Sequence, residues 1–435
     1  MSLHSITISD LLSLSRPITG AATLSPSSSR PSPLKKHKPP PPPVTSDHLT
    51  DPLLSGTTTN PDHFFTPLNR PVLLVGSVDL PIDPYNHFLS ISDGSSTICC
   101  AVLDFDLKII GCSIHVLAWN FLPFKTQGGG LLEVIRWSIS PSLALSKDMP
   151  TLSLQKGLEF SERKSIVGVL ISVSPVFTVP CRNHGPGSDS VGFLTDIYTC
   201  NCSLCTKSCS LDRFGCSLWR HNNHCFSISK FVYFVAPSAR WRLALAKLAG
   251  KVIMVSGLKK KMIFVGEKAS YAMYTTTLEA SISACQFPVD IRTRVIEEGA
   301  VYNGVVTGVY MHGMVLELDD KVWLLVTDTN IVPLAAVRVG AIISVRNFEL
   351  VHPILSWIEI NLLVSCCRTI IDVKAFSISE TRCHFRSQSQ SSLEKFIGTL
   401  IPTARFWVLL LISCFRKKFA NILSNKEILG SRNHA

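Results

Sequence analysis

Short runs of alternating apolar and polar residues fill the middle of the chain, and two patterns recur three times among them. A strand-like run with an early glycine opens each copy, at Gly76, Gly168 and Gly304. A second strand-like run in each copy reads Gly-x-x-Ile-x-Val, at 111–116, 250–255 and 340–345. A repeat of roughly 100 residues is too long for a solenoid unit and predicts a tandem array of small β domains.

The first copy gives the clearest set of strands. We predict five of them, at Val72–Val78, His87–Ser92, Thr97–Leu103, Cys112–Trp119 and Leu131–Trp137. Asp93-Gly94-Ser95-Ser96 suits a hairpin turn, because Asp and Gly tolerate the backbone angles that such a turn needs. Five strands with a short link between the third and fourth match the oligonucleotide/oligosaccharide-binding (OB) barrel.

The other two copies follow the same plan. In the third, strands are predicted at Tyr302–Tyr310, Met314–Leu318, Val322–Val326, Ala341–Phe348 and Trp357–Val364. In the middle copy they are predicted at Ser165–Ser174, Phe226–Val235, Lys251–Leu258, Met262–Val265 and Tyr271–Thr277, with a hairpin at Gly257–Lys261 and a helix at Arg240–Ala249. The two glycines of a copy lie 35, 82 and 36 residues apart, so the middle copy carries an insertion, predicted as a loop-rich excursion over 178–225.

These patterns predict a mainly β protein of about three tandem OB-fold barrels. The predicted divisions are an N-terminal segment and disordered Pro/Ser-rich linker at 1–65, barrels at 66–145, 160–285 and 295–375, and a helical basic tail at 376–435 that begins a further, truncated domain. Within the N-terminal segment, residues 5–15 suit either a short helix or a docking strand. Lys35-Lys36-His37-Lys38 is either a nuclear-localisation signal or a solvated charge cluster.

The most apolar run of the chain, Phe406–Phe415, is ten residues long. A bilayer-spanning helix takes about 20 residues, so we interpret this run as a buried helix and expect no membrane partner. No secretory signal is visible, and the fifteen cysteines favour a reducing compartment over a disulfide framework. No catalytic motif appears, and we expect no enzymatic activity.

Positive charge is concentrated in two stretches. Residues 200–270 hold 12 Lys and Arg against 2 Asp and Glu, or +10, and residues 374–435 hold 10 against 3, or +7. By the same count, residues 71–199 sum to 8 minus 11, or −3, and residues 271–373 to 6 minus 11, or −5. Local basic patches on a chain of net charge +11 favour a polyanionic partner.

The basic middle stretch also interleaves cations with aromatic residues. This is the composition that holds single-stranded nucleic acid, by stacking bases inside a positive groove. The candidate nucleic-acid contacts are Trp219, Arg220, Lys230, Tyr233, Arg240, Arg242, Lys259, Lys260 and Lys261. Two alternatives stay open: the aromatics belong to the barrel core and the lysines to a solvated hairpin, or the patch contacts an acidic protein.

The insertion contains residues with the spacing of metal ligands. The candidate zinc ligands are Cys202, Cys205, His221, His224 and Cys225. Four sulfur or imidazole ligands around a structural zinc would order a loop that lacks a core of its own. The alternative is a cysteine-rich loop with free thiols.

Three stretches carry a resemblance to a known family: Ser9–Gly20 (SDLLSLSRPITG), Asn69–Gly76 (NRPVLLVG) and Leu218–Cys225 (LWRHNNHC). In these, and along its length, the chain resembles the plant form of the large subunit of the CST telomere-capping complex. That resemblance implies a nuclear tandem-OB scaffold at telomeres, which binds single-stranded G-rich DNA and recruits DNA polymerase alpha–primase for C-strand fill-in.

The resemblance also implies the two small OB-fold subunits of CST as partners. Family members are much longer, and their DNA and small-subunit contacts lie mainly in later barrels. The chain therefore corresponds to the N-terminal portion of such a protein, or to a short isoform, and no DNA-contact residue is carried over from the family. The alternative function is a protein-interaction scaffold for DNA polymerase alpha–primase without direct DNA contact.

Overall fold

The structure is a computed structural model of the 435-residue chain. It describes residues 4–23, 65–68, 70–124, 129–139, 151–154, 164–179, 190–200, 225–265, 269–284, 294–295, 300–319, 321–328, 331–351, 361–381, 383, 392–419 and 422. These residues form three closed five-stranded barrels followed by two helices. In each barrel the strands, counted from the first, close in the order 1-2-3-5-4-1, which is the OB topology.

The first barrel is built from residues on both sides of the proline-rich segment. Its strands are β1 (His4–Ser5), β2 (Ile18–Ala21), β3 (Thr66–Pro67), β4 (Val72–Asp79), β5 (Leu89–Ser92), β6 (Thr97–Val102), β7 (Ser113–Pro123) and β8 (Gly130–Ile139). The closed ring is β4-β5-β6-β8-β7, and it agrees closely with the five strands predicted from the sequence.

Residues 5–15, for which a helix and a docking strand were both open, contain the helix α1 (Ile8–Leu12). Thr7 and Asp10 form a capping box at its start, which satisfies free backbone N–H groups there. Ile8 and Leu11 lie fully buried in the core of the first barrel. The two-residue strand β1 just before the helix pairs in parallel with β4, so this N-terminal stretch is part of the barrel.

The closed ring of the second barrel includes one strand that the sequence pattern did not predict. Its elements are β9 (Thr151–Ser153), β10 (Lys164–Val173), β11 (Phe177–Val179), β12 (Ser190–Cys200), β13 (Cys225–Val235), α2 (Arg242–Lys247), β14 (Val252–Val265), β15 (Ala269–Ala284) and β16 (Arg294–Val295). The ring is β10-β12-β13-β15-β14. Because β12 pairs with both β10 and β13, the prediction that all of 178–225 is a loop-rich excursion was wrong for residues 190–200.

The predicted hairpin at Gly257–Lys261 was also wrong. Residues 252–265 form one continuous strand, β14, and Lys259, Lys260 and Lys261 each pair with a residue of β15. The backbone groups are satisfied by the neighbouring strand while the lysine side chains reach solvent, so nothing forces a turn at this point. The predicted helix is shorter than expected, and Leu245 and Leu248 from it fill the barrel core.

The third barrel consists of β17 (Val301–Tyr310), β18 (Val315–Leu318), β19 (Val322–Leu325), β20 (Ile342–Val351) and β21 (Asn361–Ala375). Its ring is β17-β18-β19-β21-β20. The helices α3 (Ser392–Thr399) and α4 (Pro402–Lys418) follow. The sequence placed the last strand at Trp357–Val364, whereas the strand in the structure starts at Asn361 and continues to Ala375.

The repeated glycines occupy one structural position in all three barrels. Gly111, Gly250 and Gly340 have φ angles of 73°, 83° and 90°, which favour glycine. Each donates its N–H over 2.7 Å to a carbonyl of its barrel's first strand, on Val78, Leu170 and Val306 respectively. The early glycine of each barrel pairs with the isoleucine of Gly-x-x-Ile-x-Val, as Gly76 does with Ile114. The sequence repeat is therefore a structural repeat.

Polar contacts join the barrels into one assembly. Arg368 of the third barrel reaches Asp196 of the second, with 2.7 Å between Nη2 and Oδ2. The Asn347 side chain donates to the Ile171 carbonyl at 2.9 Å, again from the third barrel to the second. These contacts cover part of the outer face of β10 and β12.

Candidate nucleic-acid interface

The strand β13 presents two aromatic rings on the outside of the second barrel and two apolar residues on the inside. Val232 and Phe234 are fully buried, and the Phe234 ring stacks on Phe193 with 5.0 Å between centroids. Successive side chains of a strand point to opposite faces, so Phe231 and Tyr233 lie outside. Phe231 is 50% exposed. The core interpretation of these aromatics is therefore correct for Phe234 and wrong for Phe231.

Two lysines lie on the same outer face, two strands away. Tyr233 pairs with Thr275 of β15, and Thr275 pairs with Lys259 of β14. Two residues further along β14, Lys261 pairs with Met273 of β15. Continuing the register of β13 and β15 places Met273 beside Phe231, on the same outer face. With strands about 4.8 Å apart, each aromatic backbone position lies about 10 Å from a lysine position. We call Phe231, Tyr233, Lys259 and Lys261 the aromatic–lysine surface.

The Tyr233 ring is held in place by its neighbours. It stacks on Phe177 of β11, with 5.6 Å between ring centroids and an interplanar angle of 25°. Its hydroxyl donates to the Ser190 carbonyl at 3.4 Å. Burial raises the pKa of Tyr233, so the phenol is uncharged at neutral pH and does not repel a phosphate. A ring held in this way loses little conformational freedom when a base stacks on it.

The remaining candidate contacts of this barrel lie elsewhere. Lys230 shares the inward face of β13 with Val232, and Lys260 shares the inward face of the β14–β15 ribbon with its partner Tyr274. Arg240 is half-buried in the short 3-10 turn before α2. Arg242 is buried, and its Nε donates to the Ser174 carbonyl at 3.0 Å. Arg242 is thus a structural anchor, and its assignment as a nucleic-acid contact was wrong.

The other predicted residues lie outside what the structure describes. Trp219 and Arg220 are among them, as are the candidate zinc ligands Cys202, Cys205, His221 and His224. For Cys225, only the backbone at the start of β13 is described. Among the described side chains, no group of His, Cys, Asp or Glu is arranged to hold a metal ion.

A second basic feature lies where the three barrels meet. A cavity of about 340 Å³ there is lined by side chains that include Lys247, Lys251, Arg346 and Lys374. Asp372 accepts hydrogen bonds from both Lys247 and Lys374, and Asp104 also lines the cavity, so two carboxylates offset two of the four positive charges. Lys259 and Lys261 are exposed and lie on the same face as two aromatic residues, so the aromatic–lysine surface is the better candidate for binding single-stranded nucleic acid.

Comparison with known proteins places the chain in a family. The profile of the plant N-terminal domain of "CST, telomere maintenance, complex subunit CTC1" matches residues 5–140, and the profile of its second domain matches residues 162–282. The chain belongs to the plant CTC1 family. It is 35% identical over 393 residues to the Arabidopsis thaliana CST complex subunit CTC1, a match that covers 85% of this chain and 30% of that protein. The chain thus spans less than a third of its CTC1 relative.

Solved structures of other proteins resemble the chain only distantly. A replication protein A heterotrimer bound to ssDNA aligns with a TM-score of 0.28 and 8% identity, over 50% of each chain. A murine DNA binding protein bound with ds DNA aligns with a TM-score of 0.19 and 11% identity, over 49% of this chain and 98% of that one. Likenesses at this level carry no argument about function, and the CTC1 assignment rests on the sequence matches.

The two matched CTC1 domains correspond to the first and second barrels. The second profile spans the aromatic–lysine surface, since β13, β14 and most of β15 lie within residues 162–282. Phe231 was missing from our candidate residues, although a signal for it was present. In Phe231-Val-Tyr-Phe234 the alternation of a strand places positions 231 and 233 on one face and positions 232 and 234 on the other.

Proposed function

We propose that this chain serves as an OB-fold scaffold in telomere capping and that its aromatic–lysine surface binds single-stranded DNA. The observation that carries the proposal is the strand register that places two outward aromatic residues of β13 and two exposed lysines of β14 on one face, with the Tyr233 ring leaning toward β11 and Phe231 the more exposed of the two. Bases stack on aromatic rings with little regard for sequence, and lysines neutralise the phosphates beside them.

The position of this surface in the barrel supports the same role. OB folds bind oligonucleotides on the face of their second and third strands and on the loops beside it. In the second barrel the second strand, β12, is partly covered by the third barrel, because Asp196 is buried under Arg368. The third strand, β13, and the ribbon β14–β15 are left to provide the contact.

We further propose the partners and location that membership of the CTC1 family suggests. The chain would act at chromosome ends in the nucleus, with single-stranded telomeric DNA, the two small OB-fold subunits of CST and DNA polymerase alpha–primase as partners. Its contribution to C-strand fill-in would be to hold and position these partners, without a catalytic step.

Three consecutive lysines of β14 alternate between its two faces, so Lys260 serves as the control for Lys259 and Lys261. Lys259→Glu and Lys261→Glu change the outer face, whereas Lys260→Glu changes the same strand on its other face. Binding of a fluorescein-labelled telomeric oligonucleotide would be followed by anisotropy across a salt series. Each outer variant should lower the affinity and reduce the salt slope by about 0.7, the value for one phosphate contact to single-stranded DNA.

The Lys260→Glu variant should retain a slope close to that of the wild type, as should Lys321→Glu, which changes an exposed lysine in the turn between β18 and β19 of the third barrel. Phe231→Ala should weaken binding without changing the slope, because a lost stacking contact releases no counterion. Equal effects of all three β14 reversals would reject the surface as the contact and leave only general attraction to the basic barrel.

The alternative function is a scaffold for DNA polymerase alpha–primase without direct DNA contact. The net charges of −3 for residues 71–199 and −5 for residues 271–373, stretches that contain most of the first and third barrels and parts of the second, favour it, because negative charge repels DNA. The same variants distinguish the two functions. If the alternative is right, neither the wild type nor any variant binds the oligonucleotide at low salt. The full chain still pulls down DNA polymerase alpha–primase.

A further inference from the structure

The helix α4 presents a stripe of large apolar side chains to solvent. Trp407, Leu411 and Phe415 follow one another at intervals of four residues, and they are 60%, 55% and 54% exposed. Residues four apart lie on one face of a helix, so these three form a continuous ridge about 12 Å long. Phe419 continues it by stacking on Phe415, with 6.2 Å between centroids.

The opposite face of α4 fixes the helix to the third barrel. Leu409, Leu410 and Cys414 are buried and share an apolar cluster with Trp323 and Leu325 of β19. The guanidinium of Arg405 also donates to the Thr327 carbonyl, just after β19. The helix is therefore held in one orientation, and the ridge of Trp407, Leu411 and Phe415 points away from the barrel. The prediction of a buried helix over Phe406–Phe415 was correct for the helix and for the face that holds Leu409, Leu410 and Cys414, and wrong for the exposed face.

The two C-terminal helices are rich in positive charge. The helices α3 and α4 contain Lys395, Arg405, Arg416, Lys417 and Lys418, against one acidic residue, Glu394. The side chains of Lys395 and Lys418 are exposed. Because the Arg405 guanidinium is bound to backbone carbonyls, we use the term cationic rim for the two exposed lysines, Lys395 on α3 and Lys418 three residues after Phe415.

We propose that this ridge docks an amphipathic helix of a partner protein, one with apolar residues along one side and acidic residues beside them. Ridges of residues four apart pack into the grooves of a second helix. Acidic flanks would complement the cationic rim and favour the correct partner. A second copy of this chain fits less well, because it would bring a second cationic rim against the first. The described helices include none long and apolar enough to cross a bilayer.

The test uses the full chain and two designed peptides of about 20 residues, long enough to be helical. Both carry leucines along one face, and they differ in having either glutamates or lysines on the flanks. Labelled peptide is titrated with the protein and followed by anisotropy. We expect the glutamate peptide to bind more tightly than the lysine peptide, and a Trp407→Gln, Leu411→Gln, Phe415→Gln variant to lose about tenfold in affinity or more.

Two further variants sharpen the result. Ile82→Gln with Leu278→Gln removes two exposed apolar residues elsewhere and should leave the affinity unchanged. Lys395→Glu with Lys418→Glu should reverse the preference in favour of the lysine peptide. The melting temperature of each variant, measured by circular dichroism, should match the wild type, because every altered side chain is exposed.

Several results would overturn the proposal. One is equal binding of the two peptides, and another is binding that survives in the ridge variant. Ridge-dependent dimerisation in sedimentation velocity would assign the ridge to a second copy. Ridge-dependent binding to phosphatidylserine–phosphatidylcholine vesicles without peptide binding would assign it to a membrane surface.

Discussion

Glu133 of the first barrel and Arg338 of the third form an ion pair in which both side chains are fully buried, although 205 residues separate them in sequence. The Nη1 and Oε1 atoms are 2.5 Å apart. Asn120 donates to the second carboxylate oxygen at 3.0 Å, and Arg338 also donates to the carbonyls of Ala335, Ser377 and Glu380. Burial raises the pKa of Glu133, and the adjacent guanidinium opposes that shift. The pair is well enough hydrogen-bonded to tolerate its burial.

Removing one member of this pair should destabilise the protein strongly. Arg338→Met would leave the Glu133 carboxylate buried without its counter-charge, and we expect a loss of about 3–5 kcal/mol in the free energy of unfolding. Urea denaturation followed by fluorescence measures it. Glu133→Leu combined with Arg338→Met should be much less damaging than Arg338→Met alone, because no charge stays buried. A loss below about 1 kcal/mol for the single variant would contradict the role given to the pair.

Asp372 should make the stability of the protein depend on pH in acid. Burial by itself would raise the pKa of this carboxyl, but Lys247 of the second barrel and Lys374 hold it below its usual value. The ionised form of Asp372 is therefore favoured in the folded state. Its contribution to the free energy of unfolding is fully present above the unfolded pKa of about 3.9 and is lost as pH falls through the folded pKa. Asp372→Asn should cost about 2 kcal/mol at neutral pH.

The check is the free energy of unfolding measured between neutral pH and about pH 3. The wild type should lose stability faster than Asp372→Asn below about pH 4, so that the two curves converge. Parallel curves over the whole range would show that Asp372 is not the group responsible. Asp79→Asn, a change at an exposed carboxylate at the end of β4, serves as the comparison.

The three equivalent glycines should differ in how well they tolerate a methyl group. At Gly111 a Cβ would meet no atom within 4 Å, so Gly111→Ala should cost only the strain of a positive φ, about 1 kcal/mol. At Gly340 a Cβ would lie 2.6 Å from the Ser379 Oγ, so Gly340→Ala should cost more. Thermal unfolding of both variants measures the difference. Gly111→Asn should be milder than Gly111→Ala, since Asn tolerates the left-handed region better.

The zinc site predicted from Cys202, Cys205, His221, His224 and Cys225 can be tested on the purified protein. A filled site would give about one zinc per chain by metal analysis after purification under reducing conditions. Cys202→Ser with Cys205→Ser should abolish the zinc, whereas Cys367→Ser, an exposed cysteine of β21, should not. Less than about 0.2 zinc per chain in the wild type would reject the site.

The sequence predicted the barrels well because each one repeats the same local chemistry. The backbone has a positive φ where the chain enters the fourth strand of each ring, and this conformation favours glycine. The Gly-x-x-Ile-x-Val pattern therefore occurs in all three copies. The strand β12 escaped prediction because the long gap between Gly168 and Gly250 was interpreted as one insertion. The three lysines of β14 resembled a turn because single-sequence patterns do not show that β15 continues to pair beside them.

The candidate site was only partly accessible to prediction. Alternation along β13 contained the signal for Phe231, but the distance between Tyr233 and Lys259 depends on two strand registers that no local pattern encodes. Arg242 resembled its neighbouring cations in sequence. Arg242 can be buried because the carbonyl of Ser174, 68 residues away in sequence, accepts a hydrogen bond from its guanidinium. The exposed ridge of α4 likewise depends on which face the third barrel covers.

The N-terminal stretch has a consequence for where this protein can be cut. Asp93, in the hairpin turn between β5 and β6, accepts a hydrogen bond from the Ile8 backbone at 2.6 Å, and Ile18 of β2 pairs with Phe121 of β7. A chain that starts after residue 23 would keep every strand of the first ring and still expose the apolar surface that Ile8 and Leu11 cover. Loss of residues 4–23 would thus leave a first barrel with an uncovered apolar patch, and exposed patches of this kind favour aggregation.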